Sequence, residues 1–179
     1  MKKLFFITLF IFMGLICTET NGADWKFFGG ETIKKGGEKI FFYDTESLDY
    51  LSNENIRVWI KAITKAEFDM AAEKNKDQII KEAGKKIANG YFPPYILVEQ
   101  INDFDDIVDV VVWEETANRT LSSLMKMFFE INCKEKKLRT LSIIYFKNDG
   151  GIESKDESDK WEYISPESNI ETIHKILCK

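Results

Sequence analysis

The chain has 179 residues, with 30 acidic against 25 basic side chains, a formal net charge of −5, and a single histidine. An acidic balance of this kind excludes a nucleic-acid binder that works through a basic footprint, and one histidine rules out most catalytic sets built on imidazole. The length suits one domain with its own core.

Met1-Lys2-Lys3 opens the chain, and residues 4–16 are apolar apart from Thr8 and Gly14. Such a run falls short of the roughly 20 residues that span a bilayer, but it fits the apolar region of a secretory leader behind a basic start. Thr20, Gly22 and Ala23 supply small residues for cleavage. Residues 1–22 are therefore expected to be a signal peptide, with 23–179 as one domain. Cys17 raises the alternative of a lipid-anchored signal, although Ile16 stands where a small residue is expected. No second apolar run reaches spanning length, so no transmembrane helix is expected after the leader. Removing the leader leaves 23 basic and 29 acidic side chains and two cysteines, Cys133 and Cys178. In an exported chain these two can form one intramolecular bridge. It would close a loop of roughly 46 residues and contribute on the order of 4 kcal/mol. Two unpaired thiols are the other reading.

Trp25-Lys26-Phe27-Phe28 predicts a short strand stopped by Gly29-Gly30, and Lys39 to Asp44 a second, rich in aromatic residues. Residues 56–63 alternate. Ile56, Val58 and Ile60 take one face, and Arg57, Trp59 and Lys61 the other. Those last three form a candidate binding face; a covered sheet face or a helix-packing surface is the competing reading. Phe68, Ala72, Ile79, Ala83 and Ile87 recur at helical spacing and predict one amphipathic helix over 67–89, ended by Asn89-Gly90. Pro93-Pro94 forces an extended connection, and Tyr95 to Ile101 reads as a strand.

Residues 104–118 fit two patterns. The β-branched run Val110-Val111-Val112 favours a strand followed by a helical turn over 114–118. Met125, Met127, Phe129, Ile131 and Cys133 alternate with Lys126, Phe128, Glu130 and Asn132, predicting a strand that returns through residues 138–147. Residues 152–160 read as a polar, mobile stretch, and 161–164 as a short strand. Ser168 and Glu171 have the spacing of a capping box. A short C-terminal helix follows, with Ile170, Ile173, His174 and Leu177 on one side.

Reactive constellations are sparse. Any triad must use His174, which is better placed as a core or rim residue. Asp103 to Asp106 and Glu114-Glu115 could act as a metal or glycosidase pair, but they lack the spacing of a calcium loop. The glycine pairs do not form a phosphate loop. No catalytic, cofactor or metal residues are assigned, and the chain is read as non-enzymatic.

Several fragments, taken in order, resemble one family. They are Trp25-Lys26, Phe42-Tyr43-Asp44 with Ser47-Leu48, and Arg57-Val58-Trp59-Ile60-Lys61. Then come Phe129-Glu130-Ile131-Asn132-Cys133, Arg139-Thr140-Leu141-Ser142, the stretch from Tyr145 to Gly150, Trp161 with Ile164, Pro166 and Ser168, and the closing Leu177-Cys178. Together, over residues 25–63 and 124–178, the chain resembles the surface-adhesin protein E-like domain. The resemblance implies an exported bacterial α+β domain: an antiparallel sheet of about five or six strands, a C-terminal helix tied down by a disulfide, and here an inserted amphipathic helix within 64–123. It implies display on the cell surface and adhesion to host extracellular-matrix proteins. The chain itself is expected in the periplasm or on the outer cell surface, with a homodimer through an exposed strand edge as one arrangement. A periplasmic envelope component with no host ligand is the alternative.

Overall fold

The computed structural model describes residues 23–33, 37–93, 104–119, 125–147, 150–156 and 160–179. The expected leader with Cys17, the strand over Tyr95 to Ile101, and Asp103 lie outside them. In chain order the elements are β1 (Trp25–Ile33), β2 (Gly37–Asp44), a 3-10 turn (Thr45–Ser47), β3 (Asp49–Tyr50), β4 (Asn55–Thr64), α1 (Lys65–Lys74), α2 (Lys76–Ala88), α3 (Phe104–Arg119), β5 (Met125–Asn132), β6 (Lys137–Phe146), β7 (Ile152–Asp156), β8 (Glu162–Tyr163) and α4 (Asn169–Leu177). The fold is α+β. Among the described residues its antiparallel sheet has eight strands, six of them in the order β1-β2-β4-β5-β6-β7.

Two strands are each flanked in two pieces. Along one edge of β4, β2 covers residues 60–64 and β3 covers 56–57. Along the outer edge of β6, β7 covers residues 142–146 and β8 covers 137–138. β7 corrects the expectation of a mobile stretch. All five of its residues are exposed, so main-chain pairing holds it and no apolar alternation marks it.

Alternation along β4 separates two cores. Ile56, Val58, Ile60 and Ala62 join Phe28, Phe41, Tyr43, Phe129 and Ile131 beneath Ile173 and Leu177 of α4. On the other face Trp25, Ile40, Phe42 and Ile63 meet Phe68 of α1 and Ala117 of α3. Fully burying an aliphatic side chain such as Ile173 stabilises by about 1.5–3 kcal/mol.

Three helical expectations change. α3 is helical from its first residue, not a strand followed by a turn. Trp113 is held edge-on against Phe27 at 4.9 Å and Phe68 at 6.3 Å, and the Asn118 side chain accepts the Trp25 N–H at 2.7 Å. These tertiary contacts outweigh the weak β preference of three valines. The single helix over 67–89 is two helices, split at Asn75. Asn75 donates from its backbone to Ala71 and Ala72 while its carbonyl accepts from Gln78 and Ile79, so it ends α1 and starts α2. At α4, Ser168 Oγ accepts the Glu171 N–H at 3.1 Å, but Glu171 Oε2 accepts from Glu167 rather than Ser168. The full reciprocal box occurs instead at α1, between Thr64 and Glu67.

Cys133 and Cys178 are bonded. Cys133 is the first residue of the β5–β6 turn, just past the strand on which it was expected, and its N–H donates to the Glu54 carbonyl at 3.1 Å. His174 Nε2 lies 3.2 Å from the Cys133 carbonyl. The C-terminal helix is thus pinned twice to one turn.

Candidate binding face

The face of β4 turned away from α4 carries Arg57, Trp59 and Lys61. Antiparallel register sets them opposite Glu130, Phe128 and Lys126 of β5, and Arg139 of β6 stands opposite Glu130. Three rows therefore cross the sheet: charged, aromatic, and lysine.

The charged row is built around Glu130, whose side chain is only 2 % exposed. Its Oε1 accepts from Asn55 Nδ2 at 2.7 Å, and its Oε2 accepts from Arg57 Nε at 3.0 Å and Arg139 Nη2 at 3.1 Å. Asn132 Nδ2 in turn donates to Asn55 Oδ1 at 2.8 Å. Burial pushes the Glu130 carboxyl up, but the hydrogen bonds from Asn55, Arg139 and Arg57 outweigh it and hold the group below its usual range. The Arg139 guanidinium also lies 4.9 Å over the Trp161 ring. One buried carboxylate thus orients two arginines, while Arg57 keeps 36 % of its side chain exposed.

In the aromatic row, Trp59 and Phe128 stack at 4.8 Å with their planes 18° apart. Such a pair adds about 0.5–1.5 kcal/mol beyond its buried area. The Trp59 N–H donates to Ser47 Oγ at 3.0 Å, which fixes that strand position. Both rings are half-buried and reach solvent.

The lysine row splits. Lys61 is buried, donates to the Ala117 carbonyl at 2.6 Å, and lies 4.5 Å over the Trp25 ring. Burial and the neighbouring Lys126 lower its pKa to about 7, against the pull of Asp44. Lys126 stays half-exposed, 5.6 Å from the Trp25 ring and 5.7 Å from that of Phe146. The expected trio is therefore divided: Arg57 and Trp59 reach the surface, while Lys61 belongs to the packing under α3. Phe128, Glu130, Arg139 and Lys126 complete the face, and none is assigned to it by the sequence alone. The usable signal was the polar half of the 125–133 alternation, laid against β4.

The other candidates serve packing. Glu114 is fully buried. Its Oε2 accepts from the Tyr91 hydroxyl at 2.7 Å and lies 3.8 Å from Lys26 Nζ, while Oε1 has no hydrogen-bond partner among the described residues. Burial raises this carboxyl to about 7, against the pull of Lys26, Tyr91 and Lys86. Glu115 pairs instead with Lys86 at 2.6 Å and Arg119 at 3.9 Å. The two adjacent carboxylates thus turn to different cations and do not act as a pair. A cleft of about 520 Å³ lies beside the disulfide, between Tyr50, Leu51, Ile56 and Leu177, with Lys134 and Lys179 also lining it. Among the described residues no helix is long and apolar enough to cross a membrane.

The family model described as Surface-adhesin protein E matches residues 98–179, which agrees with the resemblance read from the sequence. The match takes in 98–123, the later part of the segment expected as an insertion, together with β5 to α4, and stops short of the front-half fragments. No curated protein and no solved structure matched the chain.

Proposed function

We propose that the protein is an exported, non-enzymatic, adhesin-like binding protein of the bacterial envelope, displayed to a host extracellular-matrix protein through the Arg57–Trp59–Phe128 face. The observation that carries this reading is the preset arginine–tryptophan surface: Glu130 and Phe128 hold Arg57 and Trp59 in place before any partner arrives. Arg and Trp are enriched at the energetic centres of protein interfaces, and side chains already fixed lose less entropy on binding. The leader-like start, the disulfide, which suits an oxidising compartment, and the family match over residues 98–179 support export and surface display.

Binding of the purified domain to immobilised extracellular-matrix proteins tests the face. Trp59→Ala and Arg57→Ala are expected to weaken capture at least about tenfold, equivalent to about 1.4 kcal/mol, while Tyr50→Ser at the disulfide cleft leaves it unchanged. Capture that is equal across all variants rejects the face. Protease shaving of intact cells tests display: a surface protein is cleaved, whereas a periplasmic component without a host ligand is spared.

A further inference from the structure

The geometry points to the chemistry of the partner: we propose that this face receives an extended, acidic protein segment carrying two carboxylates four residues apart, with an apolar side chain midway. The inference rests on the protein-binding reading above and adds what is bound.

Two cations stand at the ends of the face with capacity to spare. Arg57 commits only its Nε to Glu130, and its terminal amino groups hold no carboxylate among the described residues. Lys126 forms no ion pair among the described residues and rests against aromatic rings. Because Arg57 pairs with Glu130 and Lys61 with Lys126, the two cations lie four strand positions apart. At a rise of about 3.4 Å per residue, that is about 14 Å. An extended polypeptide repeats the same spacing, with residues i, i+2 and i+4 on one side. Its two end carboxylates would meet Arg57 and Lys126, and its middle side chain would meet Trp59 and Phe128.

The acids on this face leave the cations available. Glu130 is buried beneath its arginines, Asp44 is buried and accepts from the Asp24 and Glu46 N–H groups, and Asp49, exposed on β3 opposite Arg57, forms no ion pair with it among the described residues. Asp156 is exposed but pairs with Ser142 at the far strand, β7, which keeps an acidic segment over β4 and β5. The whole chain is acidic, so the cations Arg57 and Lys126 would also help draw an acidic segment to this face. The aromatic row discriminates between polymers. A sugar ring stacks on an open aromatic face, but Trp59 and Phe128 each cover one face of the other, which leaves less open ring for a sugar and suits an aliphatic side chain. This argues for an acidic peptide over a sulfated glycan.

Titration calorimetry at low and physiological salt decides the matter with three probes: a peptide with two glutamates four positions apart and a leucine midway, its glutamine counterpart, and a heparin-derived sulfated oligosaccharide. The acidic peptide is expected to bind, with at least about tenfold loss for the glutamine peptide and for Arg57→Gln or Lys126→Gln, and to weaken as salt rises. Lys126 lies outside the Glu130 network, so Lys126→Gln tests the idea even where Arg57→Gln disturbs folding. Equal binding of the two peptides, indifference to both substitutions, or preference for the oligosaccharide overturns the inference. Trp59-dependent capture of a matrix protein without acidic-peptide binding removes this inference and leaves the function reading in place. Capture that is indifferent to Trp59 removes that reading instead.

Discussion

The two faces of the sheet are finished by opposite means. Under α4 the chain buries aliphatic and aromatic side chains and fastens a nine-residue helix with a cap, a histidine contact and a disulfide. On the other face α1 and α3 close over ionisable groups, Lys61 among them, and the sheet beyond them presents Arg57, Trp59 and Phe128 to solvent. A helix of about two and a half turns is marginal alone, so the first face depends on a covalent link. The second depends on the protonation state of what it covers, and the half-exposed part is where recognition can occur.

The largest test breaks the link. Cys178→Ser in non-reducing buffer is expected to cost about 4 kcal/mol, a fall of about 10 °C in Tm. An unchanged melt would mean that the cap and packing alone hold α4. On the opposite face, the pH dependence should be of unusual sign. Glu114 keeps its proton up to about pH 7 in the folded protein, whereas the unfolded chain releases it near 4.5. Between those values the native state binds more protons, so stability falls as pH rises. Glu114→Gln should remove that slope, which is worth on the order of 3 kcal/mol. Parallel melting curves of the two proteins from pH 4 to 8 would refute the buried neutral carboxyl. Lys61 acts in the window above: it gives up its proton near 7 while the unfolded chain holds it to about 10.5, so stability rises with pH there. Lys61→Met should flatten that alkaline limb.

A smaller effect is expected within the exposed row. Glu130→Gln removes the carboxylate that pairs with Arg57 and Arg139 and should cost about 2 kcal/mol at neutral pH. Because the folded Glu130 pKa is depressed, this contribution is present above the ordinary carboxylate range and lost on acidification through the folded value. Urea melts at pH 7 and pH 3 should therefore differ for the wild type more than for the variant. Smallest is Ser168→Ala, about 1 kcal/mol from the lost cap. A value near zero would place the start of α4 under the control of Glu171 and Glu167 rather than the hydroxyl.

What could be read from the sequence followed from side-chain periodicity. β4 was legible because one face of it is aliphatic, and the β5–β6 hairpin because Lys134 to Lys137 interrupt two alternating runs. α3 was misread because Val110 to Val112 carry a strand preference that contacts with Phe27, Phe68 and Trp25, from distant parts of the chain, override. β7 left no trace because nothing in it is buried. For the candidate face the same rule holds. The projection of Arg57 and Trp59 followed from period two, but the burial of Lys61 depends on a carbonyl 56 residues away. The role of Glu130 depends on pairing across three strands.

The split cover on β6 has a further consequence. β8 pairs with residues 137–138 and β7 with 142–146, so the outer rim of the sheet is built from two short strands rather than one long one. Glu153, Lys155 and Asp156 stud the outermost strand with charge. A ribbon from a neighbouring molecule would meet that charge on the outermost strand, a device that blunts the edge-to-edge stacking behind fibre growth in crowded β-rich proteins.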